Sequence, residues 1–285
     1  MIKEIQNKPI RIIANSLPKS GTHLLIRVLH LLGYKEGQVL MGSIARVDST
    51  RNPFNKIMIL SRCRANGLSV DMDDLSLKVD SKWLERVFAK QLDFRYYPAH
   101  LPYTFEMEEL LVQQNVKIFT IIRDPRDVAI SYANYMLKDK KQYMHDFFKK
   151  LPDTKTRIKY VLSGYSVGKY TLVPLRDRIS RTMGWHSSDF GCSLKFENLV
   201  GTQGGGQEML QRQELAKILN YLNIQMDDLD FEGLAGKIFH KKSKTFHSGQ
   251  VNQWPDILMD DLKDCFKREC GGALISLGYE KDNNW

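Results

Sequence analysis

Between Arg11 and Tyr34 an apolar strand, a tight turn and an apolar helix follow one another directly. No other segment restricts the fold as much. Ile12, Ile13 and Ala14 read as a buried strand that runs through Asn15 and Ser16. The strand stops at Leu17-Pro18-Lys19-Ser20-Gly21-Thr22-His23. A helix with Leu24, Leu25, Val28, Leu29 and Leu32 follows, and Gly33 ends it. A helix begins with backbone N–H groups that lack partners and with the positive end of its dipole. A turn that aims those groups outward, and that carries a lysine and two hydroxyls, is a receptor for phosphate or sulfate. It is not a Walker A loop, because the chain contains no G-x-x-x-x-G-K-[ST].

A second strand-to-helix junction lies further on. Val116–Ile122 is apolar throughout and runs into Arg123-Asp124-Pro125-Arg126-Asp127, then a helix with Val128, Ile130, Ser131, Tyr132 and Tyr135. Asp124 suits the N-cap and Pro125 the first turn, where a missing N–H costs nothing. Taken alone, Arg123 and Arg126 pair with Asp124 and Asp127. Taken beside the first loop, the same arginines can instead serve an anion, whose charge a guanidinium fork matches.

The rest of the chain continues the alternation. Helices are expected from Ser81, over Phe105–Gln114, Met209–Leu222 and Leu229–Phe239, and from Pro255 to about Arg268. Asp93–Tyr97 leads into a strand, and Cys192–Phe196 is another. Gly37–Ser81 reads as loops and short helices. Asp139–Asp189 reads as helical, with packing that the pattern does not reveal. Gly204–Gly206 and Lys241–Trp254 read as loops. Strands alternating with helices give an α/β fold, a single domain over residues 1–285 with a central parallel sheet flanked by helices. Such sheets bind ligands at the carboxyl ends of their strands, where both loops lie.

At 285 residues, 42% of them hydrophobic, one full core is affordable without disulfides. The four cysteines, Cys63, Cys192, Cys265 and Cys270, have no C-x-x-C spacing and are expected as reduced thiols in a cytoplasm. The polar start, Met1–Pro9, does not resemble a secretory signal, and no apolar run approaches a membrane span. The net charge of +9 favours anionic partners. Its basic residues are scattered and no nucleic-acid motif occurs, so nucleic acid is not expected, and a strongly anionic nucleotide fits the charge equally well. Lys138-Asp139-Lys140-Lys141 reads as a solvated helix end. The seven histidines are dispersed, without metal-ligand spacing.

These motifs, in this order, resemble the sulfotransferase family that uses 3′-phosphoadenosine 5′-phosphosulfate (PAPS), in its soluble bacterial or cytosolic form. The family carries P-K-S-G-T at its 5′-phosphosulfate loop, and its R-D-P-R-D segment binds the 3′-phosphate. The resemblance implies a P-loop-like sulfotransferase architecture, PAPS as cosubstrate, 3′-phosphoadenosine 5′-phosphate (PAP) as product, and no metal. It implies that Lys19, Ser20, Gly21, Thr22 and His23 cradle the 5′-phosphosulfate and that Arg123 and Ser131 hold the 3′-phosphate. Tyr97-Pro98-Ala99-His100-Leu101-Pro102 is similar to the family's K-T-H-L-P, which makes His100 the general base for a hydroxyl acceptor. Here Pro98 and Ala99 replace the lysine and threonine, which leaves Lys19 as the main cation for the leaving group. Phe196-Glu197-Asn198-Leu199 is similar to the family's element beside the adenine, with Phe196 as an apolar wall or as plain core. Phe246–Trp254 has the spacing of F-R-K-G-x-x-G-D-W. His247 and Ser248 stand for the basic pair, Gly249 is kept, and Asn252 and Gln253 replace the second glycine and the aspartate. Two other readings remain: a kinase with a P-loop-like site, and a nucleotide-binding protein without catalysis. The missing Walker A glycine and the 3′-phosphate segment oppose the kinase. The departures at Pro98, His247 and Ser248 keep the second reading open. The acceptor itself has no motif.

Overall fold

The structure is a computed structural model and describes residues 10–37, 61–72, 75–140, 142–168, 170–239 and 250–285. Five parallel strands form the central sheet: β1 (Arg11–Ser16), β2 (Lys35–Glu36), β5 (Arg95–Ala99), β6 (Val116–Ile122) and β9 (Cys192–Lys195). Their order is β2-β5-β1-β6-β9, with β1 paired in parallel to β5 on one side and β6 on the other. A parallel sheet needs crossovers, and the helices that supply them cover both faces.

Side-chain alternation along β1 divides the core. Ile12 and Ala14 face a cluster with α1 (Thr22–Leu31), α9 (Glu208–Leu222) and α10 (Asp228–Ile238). Ile13 faces the opposite cluster with α2 (Ser81–Ala89), α3 (Phe105–Gln113) and Trp185 of α7 (Leu175–Ser187). A third cluster joins α4 (Pro125–Lys138), α5 (His145–Lys150), α6 (Thr154–Ser163), α7 and α11 (Asp260–Ser276). The remaining helix, α8 (Phe196–Leu199), follows β9 without a gap.

Several expected boundaries hold for the expected reasons. Asp124 caps α4 by accepting from the Arg126 N–H at 2.8 Å, and Pro125 occupies the first turn. Gly33 lies just past the C-cap Leu32 with φ 89°, and the Tyr34 N–H reaches back to the Leu29 carbonyl.

Three readings are corrected. Within Gly37–Ser81, β3 (Cys63–Met72) and β4 (Leu75–Val79) form an antiparallel pair rather than loops and short helices. A second small pair, β7 (Tyr165–Val167) and β8 (Tyr170–Leu172), interrupts the helical stretch before Asp189. Pro255 does not open the last helix. It sits in a 3₁₀ turn, Trp254–Asp256, because Asp127 captures the N–H groups of Asn252, Gln253 and Trp254 there, and α11 begins only at Asp260. All four cysteines are free thiols. No helix among the described residues is long and apolar enough to cross a membrane.

Arg126 shows how α4 is anchored. Its guanidinium is buried, ion-paired to Asp124 at 2.8 Å and to Glu280 at 2.5 Å. It lies 3.8 Å from the ring centre of Trp254 and 4.6 Å from that of Trp285. A planar cation between two indoles and two carboxylates is a role for arginine, not lysine. Arg126→Met leaves both carboxylates without their buried partner and is expected to destabilise the fold by about 3–5 kcal/mol, read as a lowered denaturant midpoint. Arg126→Lys should recover little of that. A midpoint equal to the parent's in Arg126→Met contradicts this role.

Candidate functional site

The loops after β1, β5, β6 and β9 emerge on one edge of the sheet, because all four strands are parallel. The first loop is shaped by two left-handed residues, Lys19 at φ 73° and Gly21 at φ 108°. A side chain at Gly21 would also strike Phe196, since a Cβ there would lie 2.6 Å from its ring. Glycine is therefore required twice, by conformation and by the close approach of Phe196. The Thr22 hydroxyl is 2.5 Å from the Ser16 hydroxyl, so it is engaged within the loop. Ser20 is buried and its N–H bonds the Leu17 carbonyl at 3.1 Å. What the turn presents outward is the start of α1, whose first N–H groups have no partner within the helix.

Arg123 follows β6 and is buried. One terminal nitrogen bonds the Gln250 carbonyl at 2.9 Å and lies 3.4 Å from the Asp127 carboxylate. Its Nε is buried without a hydrogen-bond partner. The guanidinium sits 4.5 Å from the ring centre of Phe196. Phe196 is thus wedged between Gly21 and Arg123. At 5% exposure it is packed beneath both loops, which is the core reading of this residue. Its neighbour Glu197 accepts from the Asp124 N–H at 2.7 Å and from the Tyr279 hydroxyl at 2.9 Å. A partly bonded, desolvated arginine with a vacant Nε is what a multiply charged anion would complete.

Asp127, Ser131 and Tyr135 are spaced by four and share one face of α4. Asp127 meets Arg123 at one end of that stripe, and the Tyr135 ring lies 4.3 Å from the Lys19 ammonium at the other. Ser131 stands between them, half-buried. One helix face therefore spans from the second loop to the first. Lys19 has its pKa lowered, first by burial and then by Arg123, with Asp139 opposing. His23, at the loop surface, has its pKa lowered by desolvation, then by Lys19. The site's cations thus crowd one another, and a bound anion relieves them.

His100 leaves β5 beside the first loop. Its Nδ1 is 2.6 Å from the Ser16 carbonyl. That oxygen can only accept, so Nδ1 is the donor, and in the neutral imidazole Nε2 is the nitrogen left as acceptor. The next residue is fixed in both directions. The Leu101 N–H donates to the Asn15 side chain at 2.7 Å, and its carbonyl accepts from Asn15 Nδ2 at 3.2 Å and Trp185 Nε1 at 3.0 Å. Tyr103 stacks edge-on against Trp185 with ring centres 5.0 Å apart, and its N–H bonds the Arg181 carbonyl.

The structure thus brings Lys19, Ser20, Gly21, Thr22, His23, His100, Arg123, Ser131 and Phe196 to one edge. His247, Ser248 and Gly249 lie outside the described residues. Asn252, in place of the second glycine, adopts φ 60°, a left-handed conformation that asparagine tolerates. The motifs assign no site role to Asn15, Trp185, Tyr135 or Gln142, and they give Asp127 only as an ion-pair partner. Asn15 had a usable signal, a polar residue inside an apolar strand. The others are recognisable only by their partners. No group of His, Cys, Asp and Glu side chains suited to a metal occurs among the described residues.

Comparison with known proteins gives the same assignment. A family model described as the sulfotransferase domain matches residues 9–169, more than half of the chain. Among solved structures, mouse sulfotransferase SULT7A1 complexed with PAP is similar at 17% identity and a TM-score of 0.57, covering 96% of this chain and 89% of that one. Retinol dehydratase in complex with androsterone and PAP is similar at 14% identity and a TM-score of 0.58, covering 95% of this chain and 82% of that one. The same enzyme with retinol and PAP gives a TM-score of 0.53 at 14% identity, with the same 95% and 82% coverage. Curated protein sequences give no match. The structural likenesses establish the fold, and the domain match establishes the family: this chain belongs to the sulfotransferases.

Proposed function

We propose that this sulfotransferase transfers the sulfuryl group of PAPS to the hydroxyl of a small-molecule acceptor, with His100 as general base. The observation that carries the base assignment is the hydrogen bond from His100 Nδ1 to the Ser16 carbonyl, which leaves Nε2 as a proton acceptor beside the phosphosulfate loop. When Nε2 takes the acceptor's proton, the same carbonyl stabilises the imidazolium. The acceptor oxygen then attacks sulfur, the bond from sulfur to the bridging oxygen breaks, and its electron pair remains on the 5′-phosphate of PAP. Lys19 opposes the charge that builds on that oxygen.

The binding roles follow from the same geometry. The N–H groups at the start of α1, from Gly21 to His23, cradle the 5′-phosphosulfate together with Lys19 and Ser20. Arg123 and Ser131 hold the 3′-phosphate, which completes the vacant Nε. Phe196 supports both loops from below. His247, Ser248 and Gly249 are assigned to the segment that closes on the 3′-phosphate. The complexes of similar folds with androsterone and with retinol support an acceptor that is a small molecule. We assign the protein to the cytoplasm on its free thiols.

Two measurements test these roles. Arg123→Met should weaken PAP by roughly 1.5–3 kcal/mol, tenfold or more, while ADP, which lacks the 3′-phosphate, should change little in calorimetry. Equal losses for both nucleotides would remove Arg123 from the 3′-phosphate. His100→Ala should fold, bind PAP as the parent does, and lose turnover by a factor on the order of 10²–10⁴. The loss should be smaller for acidic phenols than for aliphatic alcohols, because a phenol needs less help to ionise. A folded variant that transfers sulfate at the parent rate makes His100 structural.

A further inference from the structure

We propose that Tyr135 is a positioning residue for Lys19, its ring face holding the ammonium against the phosphosulfate loop and Gln142 fixing the ring. The proposal rests on the reading of Lys19 as the cation that meets the leaving group.

The geometry has three parts. The Lys19 ammonium lies 4.3 Å from the Tyr135 ring centre, within the range in which a cation is attracted to an aromatic face. The Tyr135 hydroxyl accepts from Gln142 Nε2 at 2.6 Å, and the same nitrogen lies 3.0 Å from the Asp139 carboxylate. The Gln142 N–H also bonds the Asp139 carbonyl at 2.9 Å, so Gln142 is held to the end of α4 through both backbone and side chain. A tyrosine has two χ angles. With its hydroxyl tethered to the Gln142 side chain, which Asp139 holds in turn, the ring is positioned by the protein rather than by the ligand.

Lys19 needs such a guide. Its backbone is in the left-handed region, which aims a long, flexible side chain away from the regular path of either neighbouring element. The charged groups around it are unequal. Arg123, after β6, repels it, Asp139, at the end of α4, attracts it, and His23, on α1, shares its surroundings and couples in turn to His100. Burial further disfavours the ammonium. A carboxylate in direct contact would hold the lysine too strongly for it to serve a developing anion. An aromatic face attracts the cation while leaving its three N–H donors free to turn toward the leaving oxygen. Lys138 and Lys140 flank Asp139 in sequence, and the ring stands between Asp127 and Asp139 along α4. The place of the missing lysine of the K-T-H-L-P motif is filled by Pro98, so no second cation there relieves Lys19 of its task.

The test compares Tyr135→Phe, Tyr135→Leu and Lys19→Met in steady-state sulfuryl transfer, with PAP affinity measured separately. Tyr135→Leu should lower kcat about tenfold while the KM for PAPS and the affinity for PAP change less than threefold. It should also move the alkaline limb of the kcat profile to lower pH, because the ring favours the charged form of a lysine already held low. Tyr135→Phe, which keeps the ring face but loses the Gln142 tether, should fall between the parent and Tyr135→Leu in kcat and keep most of the parent limb. If Lys19→Met keeps the parent kcat, the underlying reading of Lys19 fails. If Lys19→Met loses activity but Tyr135→Leu keeps both rate and pH limb, the positioning role is overturned. A fall in Tyr135→Phe as large as in Tyr135→Leu would also overturn it, by assigning the effect to the hydroxyl. Should Tyr135→Leu not fold, phenylalanines bearing successive ring fluorines at position 135 answer the question without changing shape. A stepwise fall in kcat with fluorination supports the proposal, and a flat series overturns it.

Discussion

Everything at the site is referenced to the way Asn15 imitates a strand neighbour for Leu101. β1 and β5 pair in register up to Asn15 and Ala99, where the backbone ladder ends. The Asn15 side chain then supplies the next donor and acceptor, giving its oxygen to the Leu101 N–H and its amide to the Leu101 carbonyl. Both strand ends are thereby held one residue beyond the sheet. His100 lies inside that extension, so its distance to the first loop is fixed by buried hydrogen bonds. Such an amide is expensive to bury and is stable only when both halves are bonded. Trp185 completes the clamp from α7, with the absent side chain of Gly184 leaving room for Tyr103 against that helix.

The second constraint is the close stacking of Gly21, Phe196 and Arg123, which ties β1, β9 and β6 at their carboxyl ends. Three loops that are far apart in sequence share one aromatic ring as their floor. Above it, the face of α4 that carries Asp127, Ser131 and Tyr135 runs between the two loops. Asp127 does more than neutralise Arg123, for it also caps the turn at Asn252–Trp254 and so attaches the C-terminal segment to the site. The two arginines of R-D-P-R-D are divided in consequence. Arg126 is enclosed by rings and carboxylates and belongs to the fold, whereas Arg123 retains an unbonded Nε, on which its proposed role toward the ligand rests.

Local chemistry explains what was legible in the sequence. The strand before Leu17, the cap at Asp124 and the proline after it are short-range features, and their residues determine them directly. The parallel sheet and its active edge follow from alternation alone. What escaped depends on partners distant in the chain. Trp185 is an aromatic in a polar stretch until Leu101 is placed beside it. Pro255 has the look of a helix start until Asp127, far back in sequence, draws the preceding N–H groups into a 3₁₀ turn. The β3–β4 pair has few of the alternating apolar residues that announce a strand, since it carries Arg64, Asn66 and Gly67. Asn252, at the place of a glycine in the similar family motif, takes a left-handed conformation that glycine also allows.

The most direct test of the account is transfer of radiolabelled sulfur from PAPS to a panel of phenols and alcohols by the purified chain. The account predicts label in the acceptor with one PAP released for each sulfuryl group moved, and no transfer of phosphate from ATP under the same conditions. Phosphoryl transfer from ATP in its place, or tight binding of PAP with no label moved to any member of the panel, would contradict it.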